Sequence, residues 1–167
     1  MNASLMPAAD SSFAASVVAW QERHGRHDMP WQRNRDPYAI WLSEIMLQQT
    51  QVSAVIPYYL RFLERFPSLV ALASGTENEV LTLWSGLGYY SRARNLHRAA
   101  RQVVQDFHAE FPASREAIEA LPGIGRSTAA AISVFAFGVR EAILDGNVKR
   151  VLARHFAMDG FPGDRAV

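Results

Sequence analysis

Apolar residues recur at helical spacing along almost the whole chain, and this periodicity limits the possible fold more than any other feature of the sequence. Two of the clearest stripes run over residues 52–66 and 89–103. Proline and glycine end the stripes at short intervals, and no segment alternates in the way that is typical of a β-strand. The sequence therefore predicts an all-α protein of about eight or nine helices joined by short connections.

Polar residues at the ends of these stripes predict several helix boundaries. Thr76 and Glu79 have the spacing of a capping box, and Ser114 and Asp145 are of the types that favour the N-cap position. A helix of small residues is predicted over 127–137, where a glycine follows its last turn.

The composition excludes several kinds of site. The sequence has no cysteine, so these residues can form neither a disulfide nor a cysteine-ligated zinc or iron–sulfur site. The five histidines show no metal-ligand spacing, and no apolar run approaches the roughly 20 residues of a membrane span. Residues 1–10 lack the basic and apolar segments of a secretory signal, so we expect a cytoplasmic protein without a bound metal.

Charge is distributed unevenly along the chain, although the net charge is only +1. Residues 1–85 contain six basic and eight acidic residues, whereas residues 86–167 contain eleven basic and eight acidic residues. All but one of the 17 basic residues are arginines, whose planar guanidinium suits bidentate contacts to phosphate. On charge alone, a solvated helix face remains the better explanation.

The segment 121–129, which reads LPGIGRSTA, joins two short predicted helices through a turn. Its proline and two glycines suit a tight hairpin with positive φ angles, and the second helix then begins with unpaired backbone N–H groups. Such N–H groups, at the positive end of a helix dipole, bind phosphate without help from side chains. An ordinary turn is the alternative, but the paired glycines and the small residues that follow favour phosphate docking.

Two carboxylates occupy positions that suit catalysis. Glu44 lies in an otherwise apolar predicted helix, where burial would raise its pKa and suit it to act as a general acid. Asp145 begins a helix, so backbone N–H groups would hold it as a fixed anion, and Lys149 lies one turn later. The alternatives are a solvent-facing glutamate, a simple N-cap and a surface ion pair.

A glycine-rich turn with two tyrosines and several arginines, GLGYYSRAR, covers residues 86–94. Aromatic rings beside basic side chains suit base stacking and neutralisation of phosphates, whereas a helix start with core tyrosines is the alternative. The candidate contacts to nucleic acid in this segment are Gly86, Leu87, Gly88, Tyr89, Arg92 and Arg94.

Taken in order, four segments resemble the MutY-type adenine DNA glycosylases of the helix–hairpin–helix superfamily. They read WLSEIMLQQTQV, LWSGLGYYSRARNLH, LPGIGRSTAAAI and ILDGNVKRVLARH, and the resemblance covers roughly residues 20–162. It implies a helix–hairpin–helix glycosylase fold with a six-helix barrel domain and an incomplete second helical domain. It also implies that the protein acts as a monomer on double-stranded DNA and removes adenine mispaired with 8-oxoguanine or guanine.

The resemblance implies a role for each candidate residue. Glu44 corresponds to the acid that protonates adenine at N7, Asp145 to the carboxylate that stabilises the sugar cation, and Asn147 to a residue that positions water or the sugar. Trp31 and Leu47 correspond to residues that line the base pocket. The DNA contacts implied by the resemblance are Gln48, Gln49, Thr50, Tyr89, Gly123, Gly125, Arg126, Ser127 and Lys149.

Two of these residues, Gln49 and Tyr89, correspond to residues that wedge into the base stack around the lesion. Ser127 lies near the pocket and stands where the endonuclease III branch has a lysine, so the resemblance implies a monofunctional glycosylase without a lyase step. A thymine- or uracil-mismatch glycosylase and a non-catalytic helix–hairpin–helix DNA-binding module are the alternatives.

The family also has parts that these 167 residues do not contain: further helices, four cysteines that hold a 4Fe–4S cluster, and a Nudix-like domain. We therefore expect residues 1–24, with a helix over 13–24 capped near Asp10, to belong to an incomplete second domain that resumes at 139–167. Residues 25–138 would form the first domain, with the hairpin motif at 114–138. We expect the apolar stripe of the first helix to be exposed or rearranged, and the chain to bind DNA weakly and turn over slowly.

Overall fold

The computed structural model of the protein describes residues 11–160, and all regular structure in that range is helical, which confirms the predicted all-α class. The nine α-helices of this range are α1 (Ser11–His24), α2 (Pro37–Leu47), α3 (Val52–Arg65), α4 (Leu69–Ser74), α5 (Glu77–Trp84), α6 (Tyr90–Asp106), α7 (Arg115–Glu119), α8 (Arg126–Phe137) and α9 (Gly146–His155), with a 3₁₀ turn at Pro30–Gln32. The cap predicted at Asp10 and the segment 161–167 lie outside the described residues.

The core forms around α2, which is apolar on almost every face and packs against α3, α6 and α8. Trp41, Leu42 and Met46 of this helix have no exposed surface. A helix that is hydrophobic on all faces is stable only when it is buried, so the other helices pack around it. Helices α4 and α5 pack on α6, and α7 packs on α8.

Local hydrogen bonds explain why several helices begin where the sequence predicts. The hydroxyl of Thr76 accepts a bond from the backbone N–H of Glu79 at 3.2 Å, and the Glu79 carboxylate accepts one from the N–H of Thr76 at 2.8 Å. Ser114 caps α7 through a 3.2 Å bond from the N–H of Ala117. Pro57, predicted to kink α3 or to lie in its first turn, lies inside the helix beyond that turn.

Helix α1 carries an exposed apolar stripe, as the sequence predicts. Val17 and Trp20 are exposed, and the Trp20 side chain keeps 61% of its surface accessible. The ring of Phe13 stacks on that of His155 at the end of α9, with 3.7 Å between the ring centroids, and meets Phe156 edge-on. The predicted domain boundaries near residues 24 and 138 stay predictions.

Candidate active site

Glu44 lies on α2 at the wall of a cavity of about 520 Å³, between that helix and the last turn of α8. Trp31, Val134 and Phe135 line the same cavity. Burial, and secondly the negative charge of Asp145, raise the pKa of the Glu44 carboxyl to about 7. A carboxyl with this pKa is part protonated at neutral pH, which is the state that a general acid requires.

Asp145 is the N-cap of α9. One of its carboxylate oxygens accepts hydrogen bonds from the backbone N–H groups of Asn147 at 2.9 Å and Val148 at 2.8 Å. These bonds fix the position of the carboxylate at the positive end of the helix dipole. Its half-buried side chain lines a cavity of about 1020 Å³ that also contacts Ser127 and Lys149.

The two carboxylates line different cavities, but they are near enough for the charge of Asp145 to affect the pKa of Glu44. A side-chain hydrogen bond of 3.3 Å from Gln48 to the Thr128 hydroxyl joins the end of α2 to the start of α8, on the wall of the Asp145 cavity. The structure therefore holds a carboxyl of raised pKa and a hydrogen-bonded carboxylate close enough to interact.

Three more residues of the predicted active site surround Asp145. Ser127 is the second residue of α8, and both Ser127 and Lys149 line a further cavity of about 550 Å³ beside the first. Asn147 is exposed, and its side-chain oxygen accepts a 3.5 Å bond from Arg150. Asn147 therefore contributes its backbone N–H to the cap of Asp145, while its amide side chain does not line the Asp145 cavity.

The hairpin between α7 and α8 is held down by buried Leu121 and Ile124, while Gly125 and Arg126 face solvent. Gly123 has φ +79°, and a Cβ at this position would lie 2.7 Å from the Cβ of Asn95. Gly125 has φ −96°, so of the two glycines only Gly123 takes the positive φ that the hairpin sequence allows. The exposed start of α8 presents the unpaired N–H groups of a helix terminus.

Two surface loops, the 48–50 loop after α2 and the 86–89 loop before α6, each contain a residue other than glycine in the left-handed region. Gln49 has φ +55° and is exposed, and Tyr89 has φ +50° with 58% of its surface accessible. Such conformations cost energy and cluster at functional sites. Both correspond to residues to which the resemblance assigns a role as a DNA wedge.

Two of the predicted DNA contacts are buried instead. Arg92 is 9% exposed, and its Nη1 donates hydrogen bonds to the carbonyls of Ile45, Met46 and Gln48 at 2.6–2.9 Å. Its guanidinium is therefore committed to internal backbone groups and is not a phosphate ligand. Leu87 packs its side chain into the core, so only its backbone is left for a contact with DNA.

The remaining predicted positions differ in what they contact. Arg94 is exposed and forms a 3.3 Å ion pair with Glu77. Trp31 lines the Glu44 cavity as predicted and packs edge-on against Tyr59, whereas Leu47 packs against the hydrophobic core and does not line that cavity. Thr50, Gly86 and Gly88 lie in the two surface loops.

Three residues near Asp145 are not among the site residues predicted from the sequence. Thr128, Arg150 and Arg154 line the Asp145 cavity, and Arg150 and Arg154 lie four positions apart on α9. That spacing puts two arginines on one helix face, and it is the signal that would have found them.

The residues present do not fit the 4Fe–4S cluster that the resemblance implies, because such clusters are held by cysteine thiolates and the sequence has none. Within residues 11–160, no group of three or more histidine and acidic side chains is placed to hold a metal ion. Across the same range, every helix is too short or too polar to cross a membrane.

Comparisons with known proteins agree with one another. Residues 42–167 match HhH-GPD, described as HhH-GPD superfamily base excision DNA repair protein. Adenine DNA glycosylase of Buchnera aphidicola subsp. Baizongia pistaciae is 49% identical over 147 residues, covering 88% of this chain and 42% of that protein. The human adenine DNA glycosylase is 43% identical, covering 94% of this chain and 30% of its own length.

Among solved structures, a thermostable thymine-DNA glycosylase superimposes with a TM-score of 0.79 and 32% identity, covering 84% of this chain and 65% of that one. The chain spans less than half the length of the curated relatives named above.

Proposed function

This chain belongs to the HhH-GPD superfamily of base excision DNA repair proteins, and from that premise we propose that it is a monofunctional DNA glycosylase that excises adenine mispaired with 8-oxoguanine or guanine. The single observation that carries the proposal is the Glu44 carboxyl, whose raised pKa is due partly to Asp145. A module that only binds DNA needs neither a carboxyl that is partly protonated at neutral pH, such as Glu44, nor a second carboxylate such as Asp145 near it. Relatives that bear the name adenine DNA glycosylase support the choice of base.

The chemistry requires the adenine to leave the base stack, since its glycosidic bond cannot be reached inside a duplex. Protonated Glu44 then gives its proton to N7 of the base, and the C1′–N9 bond breaks with its electron pair passing to the purine. The sugar becomes an oxocarbenium-like cation, which the fixed anion of Asp145 stabilises. Water adds to C1′ and loses a proton to solvent, in the manner of two-carboxylate glycoside hydrolysis.

DNA would be held by the first turn of α8 and by cations beside it. The exposed N–H groups after Gly125 offer a docking site for one phosphate. Arg126 and Lys149 line the neighbouring cavity of about 550 Å³, and Arg150 lines the Asp145 cavity. Gln49 and Tyr89 would enter the base stack from the two surface loops.

The substitution Glu44→Gln tests the proposal, because it keeps the shape of the side chain and removes its proton donor. With protein in excess over a duplex that contains adenine opposite 8-oxoguanine, we expect single-turnover release of adenine to fall by about 100-fold or more. Duplex binding, measured by fluorescence anisotropy, should persist.

Glu64→Gln is the matched control, since Glu64 is an exposed glutamate on α3 and its loss removes the same charge elsewhere. It should release adenine at the wild-type rate. Unchanged release by Glu44→Gln would end the catalytic assignment.

The structural likeness to a thymine-DNA glycosylase favours one second candidate, a glycosylase for mismatched thymine or uracil. Parallel duplexes that carry adenine opposite 8-oxoguanine, thymine opposite guanine, and uracil opposite guanine separate the two activities. Release of thymine or uracil in place of adenine would replace the first proposal by the second.

A further inference from the structure

The 48–50 loop and the 86–89 loop meet over one buried side chain, that of Arg92 in the first turn of α6. A buried guanidinium must find partners for its N–H groups, because it keeps its charge at any ordinary pH. Burial lowers the pKa of Arg92 from its usual value, in agreement with a charge held away from water. Both terminal nitrogens of Arg92 have partners, whereas its Nε is buried without one, and these partners show what the charge does in the fold.

One terminal nitrogen of Arg92 fixes the end of α2. Nη1 donates to the carbonyls of Ile45 at 2.8 Å, Met46 at 2.9 Å and Gln48 at 2.6 Å. The last carbonyls of a helix have no partner within the helix, so a charged donor at this point satisfies groups that would otherwise be buried and unpaired. This contact sets the direction in which the chain leaves α2 and enters the 48–50 loop.

The other terminal nitrogen joins the two loops. Nη2 donates to the hydroxyl of Thr50 at 3.1 Å and to the carbonyl of Gly88 at 3.3 Å. The Thr50 hydroxyl donates in turn to the carbonyl of Gln48 at 3.2 Å. A single planar group therefore binds backbone or side-chain atoms on both sides of Gln49 and in the 86–89 loop.

Arg92 also contacts the rings of the 86–89 region. The centre of its guanidinium lies 5.3 Å from the ring centroid of Tyr89 and 5.5 Å from that of Trp84. The indole N–H of Trp84 donates to the carbonyl of Gly88 at 3.0 Å, which is the carbonyl that Arg92 also binds. The Tyr89 ring is therefore held by its own backbone and by a cation–π contact.

Gln49 and Tyr89 are the residues in these loops that most need such support. Each has a positive φ and a side chain that favours other conformations. Strained conformations of this kind persist only where surrounding contacts determine them. Arg92 makes contacts of that kind beside both residues at once.

We propose that Arg92 is a positioning residue that fixes the 48–50 and 86–89 loops as one unit, so that Gln49 and Tyr89 already project before DNA arrives. The effect of Arg92 on DNA distortion rests on the proposed function, because the two side chains enter a base stack only in that proposed complex. The effect of Arg92 on the two loops of the free protein does not rest on the proposed function, since its contacts with them exist without DNA.

The free protein gives the first test, through amide hydrogen exchange of Arg92→Met. Methionine keeps most of the apolar length and removes every donor. We expect amides of both loops to exchange about tenfold faster or more, because hydrogen bonds to a charged donor are lost. Amides of α3 and α8 should keep their protection. If only one loop changes, or neither does, while the fold is retained, the coupling is absent.

Two further variants keep this test decisive. Arg92→Lys retains the charge but has one ammonium nitrogen in place of the two terminal guanidinium nitrogens, so it should not reproduce the contacts of Nη1 with the end of α2 and of Nη2 with Gly88 in the same geometry. Loss of protection in this variant supports the bridging role even if Arg92→Met does not fold, and full wild-type protection overturns it. Arg101→Met removes an exposed arginine from the same helix and should leave both loops unchanged.

The second test measures base unstacking with 2-aminopurine in place of the target adenine opposite 8-oxoguanine. At saturating protein, we expect Arg92→Met to give a fluorescence rise several-fold smaller than that of the wild type. Arg101→Met should reach the wild-type plateau, whatever its affinity. An equal plateau for Arg92→Met would overturn the role on DNA, because a residue that acts only through stability would not lower the signal of the folded complex.

The outcome of the hydrogen-exchange test of Arg92→Met does not depend on the outcome of the Glu44→Gln test. Adenine release depends on the proton donor on α2, whereas loop exchange is measured without DNA. Failure of the proposed function would leave the exchange result in place, and the converse also holds.

Discussion

The charge of a single carboxyl, that of Glu44, determines when the proposed reaction can proceed. The protonated carboxyl is the active form. Because the pKa of Glu44 is about 7, about half of the molecules carry this proton at neutral pH. Adenine release should therefore fall as the pH rises through about 7. An ordinary glutamate, with a pKa of about 4.3, would be almost fully ionised there and would have no proton to give.

Asp145→Asn tests the electrostatic part of this tuning. Asparagine is a good N-cap, so α9 should keep its start while the negative charge is removed. Because like charges raise the pKa of a carboxyl, we expect the Glu44 pKa to fall. It should stay above the ordinary value, since burial is the larger cause of the shift. Titration of the Glu44 side-chain carbon by nuclear magnetic resonance measures the change.

Asp106→Asn is the control for this titration, because Asp106 lies at the end of α6 and is not among the causes of the Glu44 shift. It should leave the Glu44 pKa where it is. A Glu44 pKa that stays unchanged or rises in Asp145→Asn would contradict the coupling of the two carboxyls.

Glu44 and Arg92 differ in how far their environments could be predicted from the sequence. The apolar residues Ile40, Trp41 and Leu47, three and four positions from Glu44, predict that its helix is a core helix, so a buried environment for Glu44 could be predicted from local spacing. Arg92 donates to carbonyls that lie 44–47 positions earlier in the chain. Backbone carbonyls carry no sequence signal, so from the sequence alone the charge of Arg92 predicts a DNA contact and not a buried role.

At the scale of elements, the hairpin between α7 and α8 depends on one of its two glycines for conformation. Gly123 has a positive φ and lies against Asn95 of α6, whereas Gly125 has an ordinary φ and no atom within 4 Å of an added Cβ. The two glycines therefore have different reasons to be there. Gly123 permits the turn, and Gly125 leaves the start of α8 open.

Substitution of each glycine by alanine separates these reasons. Gly123→Ala should lower the free energy of unfolding in urea by about 1–3 kcal/mol, from backbone strain and the contact with Asn95. Gly125→Ala should stay within about 0.5 kcal/mol of the wild type, because a poorer N-cap and a less flexible unfolded chain oppose each other.

Duplex affinity should show the opposite order. In Gly125→Ala a methyl group stands beside the N–H groups proposed to bind phosphate, so binding should weaken in a protein of nearly wild-type stability. A stable Gly123→Ala variant, or a Gly125→Ala variant with unchanged affinity, would contradict this division between the glycines.

Helix boundaries follow from the sequence where a cap is local. Thr76, Ser114 and Asp145 each bind an N–H group two or three residues later, so their side chains mark the helix start directly. Helix α4 has six residues, too few for a periodic stripe, and so is not predicted from the sequence. Which of the two hairpin glycines takes the left-handed conformation could not be predicted either, since both allow it.

At the scale of the whole molecule, the positive charge that matters for DNA is local. A net charge of +1 attracts a polyanion weakly, yet Arg126, Lys149, Arg150 and Arg154 line the two cavities around Ser127 and the start of α8. Neutralised phosphates release counterions, so such a cluster gives an affinity that falls steeply with salt. The slope of log affinity against log salt is proportional to the number of phosphates that the protein contacts.

The salt dependence of duplex binding between about 50 and 200 mM tests where these contacts lie. Arg150→Gln should weaken binding and reduce the slope of log affinity against log salt by about one, because one phosphate contact is lost. Arg61→Gln removes an exposed arginine from α3 that is not among the residues lining these cavities, so its slope should match that of the wild type. Equal slopes for all three proteins would show that Arg150 does not contact a phosphate, because a cation in contact with a phosphate cannot be removed without changing the number of counterions released.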